Sequence, residues 1–141
     1  MSVSSLLLPV FVQVGLTFML MLWMGRLRMA ALRSGRVKQE DIALRQPNWP
    51  ARATQVANCF HNQLELPFLF YALVAFILVT STTSLIFVIL AWVFVVSRLV
   101  HAWIHTRHNE VFQRGTALGV GFLALAAMWV IFAVRILSSG A

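Results

Sequence analysis

The residues of this chain whose types could do chemistry gather around the stretch HNQLELPF, residues 61–68, at the start of a long apolar run. Read as one helix at roughly 100° per residue, the segment carries its polar side chains on a single face. These are Gln55, Asn58, His61, Asn62 and Glu65. Polar groups in an apolar helix are energetically costly, so such a face indicates a binding or catalytic site.

A second polar face repeats along the third apolar segment at steps of three, four and three residues, with Arg98, His101, His105 and His108. Glu65 lies 15 residues before the turn at 80–84, and Arg98 lies 14 residues after it. At about 1.5 Å per residue, both are about 21–23 Å from that turn. This equal depth predicts a Glu65–Arg98 ion pair, because either charge alone would be costly among apolar groups. The pair can equally be a purely structural link between two helices.

Further cationic groups fall at the same depth. Arg26 is predicted to end the first apolar segment and Arg114 to begin the fourth, while His101 lies one turn from Arg98. All four segments would then bring polar groups to one layer. The layer predicts a pocket for an anionic, partly polar ligand, open to lipid between the helices. Part of it is also explained by polar packing between membrane helices.

The elements that must position these residues are membrane helices. The 141-residue chain is 60% hydrophobic and 11% charged, with a mean hydropathy of +0.84, whereas soluble domains carry about 25% charged residues. Four segments, at 5–25, 55–80, 84–106 and 115–137, are long enough to cross a bilayer. We therefore predict an all-α integral membrane four-helix bundle formed by one domain over residues 1–141. The first segment lacks a basic leader and a cleavage motif, so it is interpreted as a retained helix.

The net charge of +7 first suggests nucleic acid, but its distribution indicates membrane topology instead. Ten of the eleven lysines and arginines lie beside the connections that join the first segment to the second and the third to the fourth, and only Arg135 lies on the opposite side. Basic residues collect on the cytoplasmic side of membrane proteins. Both termini are therefore predicted to be non-cytoplasmic, and nucleic acid is not an expected partner.

Other site types receive little support from the sequence. A single cysteine, Cys59, excludes an intrachain disulfide. His101 and His105 have a metal-like spacing but no well-placed acidic partner, and His61 with His101 is a weak candidate for haem ligation. Patterns for a catalytic triad, a phosphate-binding loop or a dinucleotide site are absent. Gly115 and Gly119 form a small-xxx-small motif that is typical of close helix packing.

Two stretches, RATQVANCFHNQLELPFLFYAL at 52–73 and RLVHAWIHTRHNEVFQR at 98–114, resemble the MAPEG family, the membrane-associated proteins in eicosanoid and glutathione metabolism. The pattern Asn-Gln-x-Glu-x-Pro-x-x-Phe is similar to that of small bacterial members. The resemblance extends over the four predicted helices. It implies a homotrimer that binds glutathione between subunits near the cytoplasmic face, in a bacterial inner membrane.

The resemblance also implies roles for individual residues. Arg26 matches the arginine that closes the first helix, and the second-helix and third-helix motifs match at Asn62, Glu65, Arg98 and His101. Arg114 matches the arginine thought to stabilise the glutathione thiolate, and is the catalytic candidate. An adjacent guanidinium favours a thiolate, which is the reactive form of a thiol.

The chain departs from the family pattern at three ligand-binding positions. Asn58 and His61 stand where related synthases carry arginines that hold the carboxylates of glutathione, and His105 stands where they carry a tyrosine. The expected function is a glutathione-dependent transferase or peroxidase acting on lipophilic electrophiles or lipid hydroperoxides. The alternative is a non-catalytic lipid-binding or scaffold protein of the same fold, since some family members bind lipids without catalysing a reaction.

Overall fold

The computed structural model describes residues 2–139, which form five α-helices and no strand. The helices are α1 (Val3–Arg33), α2 (Ala51–His61), α3 (Leu66–Val79), α4 (Leu85–Thr106) and α5 (Val111–Ser139). With α2 and α3 counted together, four helical segments are long and apolar enough to cross a membrane. The predicted all-α membrane bundle is thus confirmed, with α4 as its most deeply buried helix.

Helix α1 is longer than the sequence pattern predicts. It begins after Ser2, whose hydroxyl accepts a hydrogen bond from the Ser5 amide, and it ends where Gly35 adopts a positive φ of 70°. A left-handed glycine is a common helix terminator because it has no Cβ. The 31 residues of α1 span about 46 Å. The prediction that Arg26 closes the first helix is therefore wrong, since the helix continues to Arg33.

The second membrane segment is interrupted, so the prediction of one continuous helix over 55–80 is wrong. Residues 62–65 leave the helical path, and α3 resumes with Pro67 in its first turn. Proline lacks an amide hydrogen, and its ring clashes with the carbonyl four residues earlier, which here belongs to Gln63. The polar part of HNQLELPF is therefore a break between two helices rather than one turn of a continuous helix.

Polar side chains from α1 and α4 hold this break in place. The Gln13 amide donates to Gln63 Oε1 at 3.1 Å, and the Gln63 amide donates to the carbonyl of Cys59 at 3.2 Å. Arg98 Nη2 donates to the carbonyl of Asn62 at 2.8 Å. Because lipid offers no hydrogen bonds, irregular backbone in a membrane must find such partners within the protein.

An apolar core fills the half of the bundle away from the break. It packs α1, α3, α4 and α5 around large buried side chains such as Phe70, Phe87, Phe94 and Met128. Phe70 and Phe94 stack with ring centroids 4.7 Å apart. Arg135 closes this end by donating to the Ser84 hydroxyl at 3.0 Å. The core therefore fixes the position at which α4 presents its polar residues.

Helices α4 and α5 pack closely at Gly121. A Cβ added there would overlap Ser97 Oγ, which donates to the Phe94 carbonyl at 2.6 Å. At Gly115 and Gly119, by contrast, an added Cβ would meet no atom within 4 Å. The small-xxx-small motif is thus not used for packing within this protomer, and Gly121 is the glycine that close packing requires.

A pair of alanine substitutions tests this packing. Gly121→Ala and Gly119→Ala gain the same helix propensity, about 1 kcal/mol, so the difference between them isolates the overlap with Ser97. We expect Gly121→Ala to be about 1–3 kcal/mol less stable than Gly119→Ala in unfolding measurements in detergent. In a Ser97→Ala background the difference should shrink, since the overlapping oxygen is gone. Equal stabilities of the two single variants would contradict the close contact.

Candidate functional site

The centre of the polar layer is Arg98, which is 0% exposed. Its one hydrogen bond goes to the Asn62 carbonyl, while Nε and Nη1 have no acceptor among the residues that the structure describes. A guanidinium stays protonated in proteins. Arg98 therefore keeps a buried positive charge and two free donors that suit an anion.

Glu65 does not neutralise that charge. Its side chain is exposed at the end of the break, and within residues 2–139 the one ion pair joins Lys38 to Glu40. The predicted Glu65–Arg98 ion pair is therefore not formed in this protomer. The predicted contact requires a continuous helix from α2 into α3, whereas residues 62–65 interrupt the helix and leave Glu65 at the N-cap of α3.

His101 and His105 lie one and two turns beyond Arg98 and are both buried. Their rings meet edge to face with centroids 5.6 Å apart. His101 Nδ1 lies 3.0 Å from the carbonyl of Arg114, and the Gln55 amide donates to the carbonyl of His105 at 2.7 Å. His101 Nε2 and His105 Nδ1 remain without a partner among the described residues. The two rings thus extend the polar layer from Arg98 to the start of α5.

Arg114 lies in the first turn of α5, as predicted for the start of the fourth helix. It is half-buried, and its Nη1 donates to Asn109 Oδ1 at 2.6 Å. Asn109 is neutral, so the charge of Arg114 is not compensated by this contact. Glu110 accepts from the Phe112 and Gln113 amides at the start of α5, and within residues 2–139 it forms no ion pair with Arg114.

Asn58 and His61 lie apart from the buried layer. Both are exposed and line a cavity of about 360 Å³ between α2 and the connection from α1. Two arginines, Arg28 and Arg45, line the same cavity, and the Arg28 guanidinium stacks over Trp49 at 4.8 Å. The cavity therefore has cationic walls even though positions 58 and 61 are not arginines.

Arg26 is exposed on α1 and lines a separate cavity of about 260 Å³ with Met19, Leu22 and Trp23. Within one protomer Asn62 and Glu65 lie at the break between α2 and α3, and the other predicted site residues fall into three places. One is the buried group of Arg98, His101 and His105 next to Arg114; the second is the exposed cavity at Asn58 and His61; the third is the surface at Arg26. Among residues 2–139, no group of three or more His, Cys, Asp or Glu side chains could hold a metal ion.

Sequence reasoning assigned no role to Gln13 and Gln63, although both are fully buried and join α1 to the break. A signal for Gln13 was present, because it is the single amide in the first apolar segment and such groups commonly bond to a neighbouring helix. Gln63 lies inside HNQLELPF but off the predicted polar face. Gln63 bonds to Gln13 and to the Cys59 carbonyl because the helix is interrupted at 62–65, and a projection of a continuous helix does not contain this interruption.

The sequence matches the model of the MAPEG family over residues 6–134, nearly the whole chain. The chain belongs to the MAPEG family. Comparisons with curated proteins and with solved structures gave no match. The family resemblance of the two polar stretches is thus confirmed, and membership points broadly to glutathione-related transferase, peroxidase or allied chemistry.

A double-mutant cycle tests the separation of Glu65 from Arg98. Because the Glu65 carboxylate is exposed and unpaired in this protomer, Glu65→Gln should change the free energy of unfolding by less than about 0.5 kcal/mol. Combined with Arg98→Met, the coupling energy should stay below about 0.5 kcal/mol. Thermal unfolding in detergent measures all three variants, with Glu40→Gln as the control for an exposed carboxylate, whose surface pair with Lys38 contributes little to stability. A loss near 3–5 kcal/mol for Glu65→Gln alone, roughly the cost of breaking a buried pair, would show that the two charges do pair.

Proposed function

We propose that this MAPEG protein is a membrane-embedded, glutathione-dependent transferase or peroxidase that acts on lipophilic electrophiles or lipid hydroperoxides. The observation that carries the proposal is the uncompensated positive charge of Arg98 and Arg114 beside the buried imidazoles of α4. Glutathione carries two carboxylates and a thiol that becomes anionic when it reacts. An anionic tripeptide therefore complements a layer that has donors and cations but no paired carboxylate.

The proposed role of Arg114 is to stabilise the glutathione thiolate. A free thiol has a pKa near 8.5 and is mostly protonated at neutral pH, and a nearby guanidinium lowers that pKa. In the transferase reaction the thiolate sulfur forms a bond to the electrophilic carbon and the leaving group departs with its electron pair. With a hydroperoxide, the sulfur takes the terminal oxygen and the lipid alcohol leaves after gaining a proton. A second glutathione then converts the sulfenic acid to a disulfide and water.

The carboxylates of glutathione are assigned to the cationic cavity beside α2. Asn58 and His61 supply hydrogen-bonding groups, and Arg28 and Arg45 supply the charge that the synthase-type arginines would bring at positions 58 and 61. Asn62 and Glu65 at the break and His101 and His105 on α4 complete the proposed ligand-binding set. In this proposal Arg28 and Arg45 compensate for the departures from the family pattern.

A homotrimer is proposed as the functional unit, with the site between subunits. Arg26 and the exposed cavity at Asn58 and His61 do not meet the buried layer within one protomer. A neighbouring copy could bring these surfaces together. The proposed location is a bacterial inner membrane, with both termini on the non-cytoplasmic side, because the basic residues collect at the opposite membrane face.

A second candidate, a non-catalytic lipid-binding or scaffold protein, is favoured by a different feature. A groove of about 610 Å³ runs along α4 and α5, and its lining is apolar apart from the Ser97 hydroxyl and the Trp92 indole N–H. Such a groove suits an acyl chain. It contributes no group that could activate a thiol, so on its own it supports binding without catalysis.

Arginine substitution tests the catalytic proposal. We expect Arg114→Ala to lower glutathione conjugation of 1-chloro-2,4-dinitrobenzene, or reduction of a lipid hydroperoxide, by about 10²–10³-fold, the usual cost of losing one charge-stabilising donor. The remaining rate should rise towards higher pH, because the thiol then ionises with less help. The exposed Arg33→Ala is the matched control and should retain full activity. If wild type and Arg114→Ala are equally inactive with several electrophiles, the lipid-binding candidate replaces the catalytic one.

The oligomeric state provides an independent test. Native mass spectrometry in mild detergent should detect three copies of the chain, and crosslinking in membranes should give a ladder that ends at the trimer. Arg26 is predicted to lie close to the α2 cavity of a neighbour, so cysteines placed at positions 26 and 61 should crosslink between subunits. A clean monomer at all concentrations would exclude an intersubunit site, while leaving a site within one protomer open to the activity assay.

A further inference from the structure

A second site is indicated by the groove between α1 and α4, on a face of α4 other than the one with Arg98 and the histidines. The groove encloses about 550 Å³. Its inner part is lined by apolar side chains, including Leu16 and Leu20 from α1 and Leu99 and Ala102 from α4. This floor offers nothing to a fully hydrated anion and suits a hydrocarbon chain.

The mouth of the same groove is cationic and aromatic. The Arg52 guanidinium lies 4.9 Å from the ring of Trp23, and the Arg107 guanidinium lies 4.0 Å from the ring of Trp103. Both arginines and both tryptophans line the groove. A stacked guanidinium keeps its N–H groups in the plane of the fork, where they can donate to the oxygens of a phosphate.

The two arginines retain free donors and lack a counter-charge. Arg52 Nη1 donates to Gln55 Oε1 at 2.9 Å and to the Thr106 carbonyl, which leaves its other nitrogens free. The Arg107 guanidinium has no acceptor among residues 2–139, and neither arginine forms an ion pair there. The mouth of the groove therefore carries two uncompensated positive charges at one site.

The direction of the helices places these two parts at different depths. Helices α1 and α4 both run towards the membrane face where the basic residues collect, so Leu16 and Leu99 lie deeper than Trp23, Trp103 and Arg107. Seven residues separate Leu16 from Trp23, which corresponds to about 10 Å of helix. Charged donors at the surface above an apolar channel reproduce the order of headgroup and acyl chain in a lipid leaflet.

We propose that the groove between α1 and α4 binds an anionic phospholipid. Its phosphate lies between Arg52 and Arg107, and an acyl chain lies along Leu16, Leu20 and Leu99. The apolar floor favours a lipid over free phosphate, and the paired guanidiniums favour an anionic over a zwitterionic headgroup. Since Arg52 also bonds to Gln55 and Thr106, the bound lipid would join α1, α2 and α4 at this end of the bundle.

Met19 and Trp23 line both this groove and the cavity at Arg26, but the residues varied below, Leu99 and Arg107, lie outside the proposed glutathione site. The groove uses positions 99, 102, 103, 106 and 107 of α4, whereas the buried polar layer uses positions 98, 101 and 105. Neither Arg52 nor Arg107 belongs to the proposed thiol site. Loss of lipid binding and loss of catalysis can therefore be measured separately in the same protein.

Native mass spectrometry of the full chain tests the proposal. The protein, in mild detergent, is titrated with an equimolar mixture of phosphatidylglycerol and phosphatidylcholine, and the lipid retained on each species is counted. Wild type should prefer phosphatidylglycerol. Arg107→Gln should weaken that binding about fivefold, which corresponds to about 1 kcal/mol for one basic side chain near a lipid surface. Leu99→Phe, which narrows the floor, should reduce retention of phosphatidylglycerol without changing the charge.

Arg33→Gln is the matched control, because it removes one exposed positive charge at the same membrane face outside the groove. Its phosphatidylglycerol binding should equal that of wild type, and a loss as large as that of Arg107→Gln would reduce the effect to net charge and overturn the site. Equal retention of the two lipids by wild type would overturn it as well. If inorganic phosphate displaces phosphatidylglycerol completely and Leu99→Phe has no effect, the ligand is a free phosphate and the lipid proposal fails.

Thermal unfolding checks that each variant folds. If Arg107→Gln does not fold, Arg107→Lys is used instead, because it keeps the charge but loses the planar fork.

Discussion

The break ahead of Pro67 is the constraint on which the rest of the structure depends. A proline in the middle of a membrane segment removes one backbone donor and displaces the carbonyl of the preceding turn, and hydrocarbon cannot solvate the groups that are freed. At the break, Arg98 donates to the Asn62 carbonyl and the Gln63 side-chain amide donates to the Cys59 carbonyl, while Gln13 holds the Gln63 side chain. Helices α1 and α4 are thereby tied to one point on the second segment.

That arrangement determines the electrostatics of the polar layer. One nitrogen of Arg98 satisfies the backbone, so the side chain is held in place, yet its charge and two donors remain uncompensated in the interior. A buried charge without a partner opposes folding, and here the apolar core around Phe70, Phe87 and Phe94 must offset that cost. An uncompensated charge that is held at the expense of stability is common at functional sites.

Much of this fold could be predicted from the sequence, because membrane helices are marked by their composition and by the distribution of basic residues. The four segments and the position of Arg114 at the start of α5 followed from such patterns, whereas the family followed from the resemblance of the two polar stretches at 52–73 and 98–114. The end of α1 was missed, because Arg26 and Arg28 look like a boundary while the helix continues into the aqueous region as far as Gly35. The prediction of a Glu65–Arg98 contact was wrong because a helical projection gives the direction of a side chain correctly only where the helix is unbroken. The four residues between α2 and α3 change the direction of the chain. That direction depends on tertiary partners, here Arg98, which donates to the Asn62 carbonyl, and Gln13, which donates to the Gln63 side chain.

The same physical cause underlies both proposed ligands. Eleven basic and four acidic side chains leave a large excess of positive charge, and ten of the basic residues lie towards one membrane face. Where such charges are buried beside imidazoles, as at Arg98, they favour a small polar anion that enters the bundle. Where they stack on tryptophans above an apolar groove, as at Arg52 and Arg107, they favour an anion that carries its own hydrocarbon. The two sites therefore differ in what surrounds each guanidinium. Helix α4 contributes to both, because one of its faces is buried and carries Arg98, while another is exposed and ends at Arg107.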